Sequence, residues 1–250
     1  MSTIVKNQII EYLKKNKISK TKNIQEKFNL TLSTTRRYLI QLEQENIIER
    51  LFGEIVYKEN KTIISDNIAN ENILSNVESK KEIAMLASKF VANNTPIFLD
   101  SGSSCFYLLD YLDLKTVIYT NSLFNANYAI KKGFENVHIL GGKVKLKTES
   151  IVNLDNDFVK KIYFPISFIG VNGIDENERL TTPEESEGQT KKLICEHSDL
   201  IVVLCEENKF NKKALFDFTP KDKQIVVVTN SNKKPDFANK YLYVLKKERK

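Results

Sequence analysis

The chain of 250 residues is 41% hydrophobic and 28% charged, with 38 Lys and Arg against 32 Asp and Glu for a net charge of +6. These fractions sit near globular averages and argue against wholesale disorder; with no apolar run of about 18 residues and no secretory cleavage pattern, neither a membrane span nor export is expected. Three cysteines (Cys105, Cys195, Cys205) without a CxxC pair make no disulfide framework, and two histidines with no clustered Cys leave no zinc site, so a soluble cytoplasmic protein without metal or cofactor is expected.

The charge is unevenly spread. Residues 1–58 hold eleven Lys and Arg against six acids, or +5, and Lys246 to Lys250 add +3, which leaves −2 for the body between them. A basic end on a nearly neutral body points to a polyanion partner; lysines decorating solvated helix faces give the same count. In that end, Ile4, Val5, Ile9, Ile10, Tyr12 and Leu13 recur at helical spacing over residues 3–15. Ile18 and Ser19 break the pattern, Thr21 to Phe28 reads as a short second helix, and Asn29-Leu30 as a turn. Thr31 is placed to cap a third helix running to about Glu45, with Thr35, Leu39 and Leu42 on one face. Two β-prone segments then flank Gly53, as in a small hairpin. Three helices and a hairpin give the order of a winged helix-turn-helix. Thr31, Ser33, Thr34, Arg36 and Arg37 fall in the first turns of the third helix, where a recognition helix meets base edges and phosphates, and Arg50 and Gly53 fall in the wing.

Residues 59–79 read as a polar, Asn-rich linker. From Lys80 the pattern alternates. Apolar runs at 96–99, 117–119, 137–140, 166–169, 200–204, 225–228 and 242–245 are separated by helical stretches at 80–92, 105–112, 123–131, 154–162 and 187–197. This predicts a mostly parallel, Rossmann-like α/β sheet covered on both faces over residues 80–250. Ligands bind such sheets beyond the carboxyl ends of the strands. Asp100-Ser101-Gly102-Ser103-Ser104, Thr120-Asn121-Ser122, Gly141-Gly142 and Gly170-Val171-Asn172-Gly173 occupy those ends, and five of the eight glycines lie in these loops. Small hydroxyl residues ahead of a helix suit a phosphate. Neither GxGxxG nor GxxxxGK[ST] is present, so dinucleotide and P-loop nucleotide sites have no support. Glu187, Lys191 and Lys209 are the charged candidates on the same side; Glu187 and Lys191, four apart, also fit a surface ion pair. Cys195, Cys205 and His138 read as core or near-core fillers, and His197 as a helix C-terminal residue.

Taken together, these residues resemble a DeoR-type transcriptional repressor over essentially the full length. The run Thr34-Thr35-Arg36-Arg37-Tyr38-Leu39, with Leu42-Glu43 and Arg50-Leu51-Phe52-Gly53, is similar to the family's helix-turn-helix signature. Here Tyr38 replaces an Asp, Thr35 an aliphatic residue, and Glu54 a second wing glycine. The strand-end loops, with Thr182, Glu187, Lys191 and Lys209-Phe210, resemble its sugar-phosphate sensor domain, similar in fold to phosphosugar isomerases and CoA transferases; Glu206 stands where the family often has Asp. The resemblance implies a bacterial, non-enzymatic repressor of a carbohydrate operon that binds double-stranded operator DNA as a dimer or tetramer. The effector, a phosphorylated sugar, would be held by Asp100 to Ser104, Thr120 to Ser122, Gly141, Gly142, Gly170, Asn172, Gly173, Glu187, Lys191 and Lys209. The competing reading is a sugar-phosphate isomerase with an appended helix-turn-helix, using Asp100 and Glu187 for proton transfer; a third is that the helices and wing serve protein contacts alone.

Overall fold

The computed structural model describes residues 3–44, 47–51, 53–57, 62–63, 73–92 and 95–246. The chain divides into two compact units, Met1–Lys61 and Thr62–Lys250.

In the smaller unit, helices α1 (Thr3–Asn16), α2 (Thr21–Phe28) and α3 (Leu32–Gln44) are joined by strands β1 (Ile18–Lys20), β2 (Ile48–Leu51) and β3 (Glu54–Tyr57). Asn29 closes α2 in the left-handed conformation (φ 49°), its N–H donating to the carbonyls of Gln25 and Glu26. The hydroxyl of Thr31 accepts from the Thr34 N–H at 3.3 Å and so caps α3. Ile9, Leu13, Ile24, Tyr38, Leu39, Leu42, Ile48 and Ile55 fill the core, and Thr35 is buried with them. The Ile18-Ser19 break is itself a strand: β1 pairs with β3, turning the predicted hairpin into a three-stranded antiparallel sheet in the order β1-β3-β2. Three residues are too few for alternation to show in sequence. Gly53 turns the wing at φ +85°, where an L side chain is strained. The end of the third helix at Glu45, most of the linker and four of the five basic-tail residues lie outside the described residues.

In the larger unit, all seven predicted apolar runs are strands of one parallel sheet: β5 (Ile97–Leu99), β6 (Ile118–Thr120), β7 (Val137–Ile139), β10 (Phe164–Gly170), β13 (Ser198–Cys205), β16 (Gln224–Thr229) and β17 (Leu242–Val244), in the order β17-β16-β13-β10-β5-β6-β7. Helices α4 (Val77–Ala87), α5 (Ser103–Leu108) and α6 (Leu123–Lys132) cover one face; α7 (Asn156–Val159) and α8 (Glu185–Glu196) cover the other. Alternate residues of β13 serve the two cores: Val202 and Leu204 pack with Ile83 and Ala87 of α4, whereas Ile201 and Val203 pack with Ile194 of α8. Smaller pieces escape the sequence pattern. These are a hairpin of β8 (Lys143–Lys145) and β9 (Ser150–Val152), a sheet of β11 (Gly173–Ile174), β12 (Leu180–Thr182) and β15 (Phe216–Asp217), and the parallel pair β4 (Thr62–Ile63) and β14 (Lys213–Ala214).

Three expectations are corrected. The helix predicted over 154–162 is the four-residue α7, because Asp155 caps it and the next amides turn back in tight i−3 bonds, Lys161 to Phe158 and Ile162 to Val159. The helices predicted at 80–92 and 105–112 both finish in 3₁₀ turns, Ser88–Phe90 and Leu109–Tyr111. His138 is no core filler: β7 is the edge of the sheet, so its imidazole is exposed and stacks on Tyr119 with ring centroids 4.6 Å apart. The three cysteines are fully buried thiols. Burial pushes Cys195 and Cys205 up to about 12, and Cys105 higher still, with Asp100 adding to the effect there.

Candidate functional site

Numbered by their own succession, the strands run 3-2-1-4-5-6-7 across the sheet, and the direction of winding reverses between β5 and β10. At such a switch point the loops leaving adjacent strands part in opposite directions and open a crevice. Asp100, at the end of β5, accepts a 2.9 Å hydrogen bond from the Gly170 N–H at the end of β10. Lys191, carried by α8, donates to the same carboxylate oxygen and, at 3.1 Å, to the Gly170 carbonyl. The backbones meet closely: a Cβ on Gly102 would lie 3.4 Å from the Gly170 Cα, and one on Gly170 would lie 3.3 Å from Asp100 Oδ2. Burial disfavours charge on Lys191, but Asp100 and Glu187 beside it outweigh that and hold its pKa above the ordinary lysine range.

Above this buried pair lies a cavity of about 340 Å³. Its floor is Ser101, Gly102, Ser103 and Ser104, and the first amides of α5 have no intrahelical acceptor. At one end Lys80, Lys209 and Lys212 surround a single carboxylate, that of Glu206. Lys80 Nζ is 4.0 Å and Lys209 Nζ 3.9 Å from Glu206 Oε1, while Asn76 Nδ2 donates to the other oxygen at 2.9 Å. Lys80 is only 2% exposed and donates to the Ser75 carbonyl at 2.8 Å. Burial lowers its pKa to about 8, against the pull of Glu206. At the other end the charges are paired. Glu187 accepts from Lys145 of the β8–β9 hairpin and, at 3.1 Å, from the Thr182 hydroxyl, while Lys145 also reaches Glu184 at 2.9 Å.

Of the residues singled out from sequence, Ser101 to Ser104, Gly170, Asn172, Glu187, Lys191 and Lys209 line this cavity, with Asp100 beneath it. Thr120, Asn121, Ser122, Gly141, Gly142 and Gly173 do not; each has a local task. Thr120 donates to the Leu99 carbonyl at 2.6 Å, Asn121 to that of Ile151 at 3.1 Å, and Ser122 caps α6. Gly142 and Gly173 press on the backbones of Val152 and Lys212, where no Cβ fits, and the Gly141 carbonyl accepts from the Asp155 N–H. Glu187 and Lys191 are both buried and each has another partner, so they do not form the simple surface pair that their spacing allows. Sequence reasoning passed over Lys80, Asn76, Lys145, Thr148, Glu206 as a lysine partner, and Lys212. Lys80 alone left a signal, a cation in line with Ile83, Ala84 and Ala87 on the apolar stripe of α4.

In the smaller unit Arg36 and Arg37 stand exposed on α3 without a partner among the described residues. Thr31, Ser33 and Thr34 tie their hydroxyls together, at 3.1 Å and 2.9 Å from Thr31 Oγ1. Arg50 is held by Glu43, with Nε donating at 2.9 Å, so the wing is fastened to the end of α3.

Comparison with known proteins agrees with this architecture. Residues 75–231 match the DeoR C terminal sensor domain family, and residues 5–52 match the family described as FaeA-like protein. The chain is 29% identical to the HTH-type transcriptional regulator IolR of Bacillus subtilis, covering 81% of each protein. It is 26% identical to the L-fucose operon activator of Haemophilus influenzae over 85% of each, and 25% identical to the glycerol-3-phosphate regulon repressor of Escherichia coli over 84% of this chain and 83% of that one. Among solved structures, a ribose 5-phosphate isomerase from Plasmodium falciparum aligns over 52% of each chain at 25% identity with a TM-score of 0.40. With more than half of its length matched by the sensor domain, the chain belongs to the DeoR family of transcriptional regulators.

Proposed function

We propose that this regulator represses a carbohydrate-use operon and responds to a phosphorylated sugar held in the switch-point cavity. The observation that carries the reading is the charge balance along the cavity. Lys191 is matched by Asp100 and Lys145 by Glu187, whereas three lysines share Glu206. That end gathers three lysines about one carboxylate beside the hydroxyls and amides of Ser101 to Ser104, a fit for one phosphate dianion. Glu187, Asn172 and Thr148 line the cavity away from that end and suit sugar hydroxyls. Relatives named for a glycerol-3-phosphate regulon and a fucose operon support the substrate class. The buried Asp100, 1% exposed and engaged by Lys191, supports sensing over turnover, because an isomerase would need that carboxylate at its substrate.

Operator DNA would meet the exposed face of α3 and the wing, and paired half-sites call for a homodimer or a tetramer built from dimers. The effector must favour one arrangement of the DNA-binding units, since only a difference in affinity between two states shifts operator occupancy. The test is a thermal-shift screen of sugar phosphates against their dephosphorylated sugars, followed by operator binding with and without each hit. A hit that stabilises the protein and changes operator affinity supports the reading. Steady turnover of a sugar phosphate by the full chain would replace it with the isomerase.

A further inference from the structure

The recognition helix carries two large aliphatic side chains where a DNA-reading surface is expected to be polar. Thr35, Tyr38, Leu39 and Leu42 define the buried side of α3. Leu32 and Ile40 are 45% and 43% exposed, and Arg36 lies midway between them. Residues 32, 36 and 40 are each four apart, so they form one slanting stripe that advances about 12 Å along the helix. The stripe reads apolar, cationic, apolar, with Arg37 beside it, and neither arginine has a partner among the described residues.

We propose that Leu32 and Ile40 are specificity-determining residues of the DNA interface, each seating on the 5-methyl group of a thymine in the major groove on either side of a base contacted by Arg36. The thymine methyl is the apolar group that base edges offer in that groove, and arginine forks onto guanine there. A rise of about 6 Å between successive stripe positions spans roughly two base steps of about 3.4 Å each. The expected half-site therefore has a guanine with thymines one or two steps away on both sides. A second copy of the chain suits this face less well. A two-fold contact through the stripe would lay Arg36 and Arg37 against their own counterparts, with no acid on the stripe to offset them.

The assignment rests on the DNA-binding reading, and its test separates the two. Full-length protein is used to select duplexes from a random pool, and each thymine of the selected half-site is replaced in turn by deoxyuridine, which deletes the methyl alone. Wild-type protein is expected to lose about three- to fivefold in affinity at two thymine positions, the scale of one buried methyl. Ile40→Ala should bind the parent duplex more weakly by a similar factor and become indifferent to uracil at one of the two positions. Leu32→Ala should do the same at the other, and Ile40→Val should keep part of the penalty. Both sites are exposed and alanine favours helix, so folding is retained, which circular dichroism checks. A uracil penalty that is absent in wild type, or equal in wild type and variants, overturns the stripe while DNA binding stands. Failure to enrich any duplex overturns both.

Discussion

Lys80 shows how much one side chain can couple. It is buried in α4, lines the cavity and has a pKa near 8 instead of the 10.5 of a free lysine. Between pH 8 and 10.5 the unfolded chain binds a proton that the folded chain does not, so this group makes stability rise with pH across that window, by on the order of 3 kcal/mol in all. Its attraction for an anionic ligand runs the other way and fades as the pH rises through about 8. Denaturant titrations from pH 7 to 10 should therefore show the wild-type increment and lose it in Lys80→Met; parallel profiles for the two proteins would refute this account. The Asp100–Lys191 pair makes a second residue-level prediction. Asp100→Asn leaves Lys191 buried without its nearest counter-charge, and a loss of about 3–5 kcal/mol in urea unfolding is expected, relieved by adding Lys191→Met. The sequence hinted at the first burial through the place of Lys80 on the apolar stripe of α4, and it marked Lys191 as a candidate on the ligand side; the acid set against each lysine was not legible, because Glu206 and Asp100 reach them only through the sheet.

At the scale of elements, apolar runs and strongly periodic helices were legible, and short strands that lack an apolar run were not. The seven apolar runs became the seven strands because the central ones, buried on both faces, leave a continuous apolar signature, and the edge strands β7 and β17 still offer apolar residues. The two- and three-residue strands β1, β4, β8, β11 and β14 have no period to read, yet β8 brings Lys145 to Glu187, a lining residue, and its turn brings Thr148 to the cavity. The recognition helix was legible through its cap and its Arg pair, whereas the clamp of Arg50 on Glu43 depends on the β2 register and was not. Arg37→Ala tests this element directly. Operator affinity should fall by about 1–3 kcal/mol if Arg37 reads a base, or the salt slope should flatten by about one if it holds a phosphate. An unchanged affinity and slope in a filter-binding series would take Arg37 out of the interface.

At the scale of the molecule, the order of the strands decides where ligands go. Loops from β5 and β10 meet because the winding reverses between them, whereas Thr120 to Ser122 after β6 and Gly141 and Gly142 after β7 do not line the cavity and build structure instead. Sequence lists all strand ends as equivalent; adjacency in the sheet is a long-range property that a linear reading does not contain. A sugar phosphate at a hundred times its Kd should add about 2.7 kcal/mol to the larger unit and raise its calorimetric midpoint by roughly 5–10 °C, with no rise for the dephosphorylated sugar. Equal shifts from both compounds would remove phosphate from the recognition.

The three buried thiols have a practical consequence. Cys105, Cys195 and Cys205 are closed off from solvent and held protonated, so maleimides and similar thiolate-directed probes should leave the native chain unmarked. A cysteine placed at Leu146, 91% exposed on the turn that carries Lys145 and Thr148, would then be the one reactive handle in the folded protein. A fluorophore attached there would follow that turn while the cavity fills, without any native residue having to be removed first.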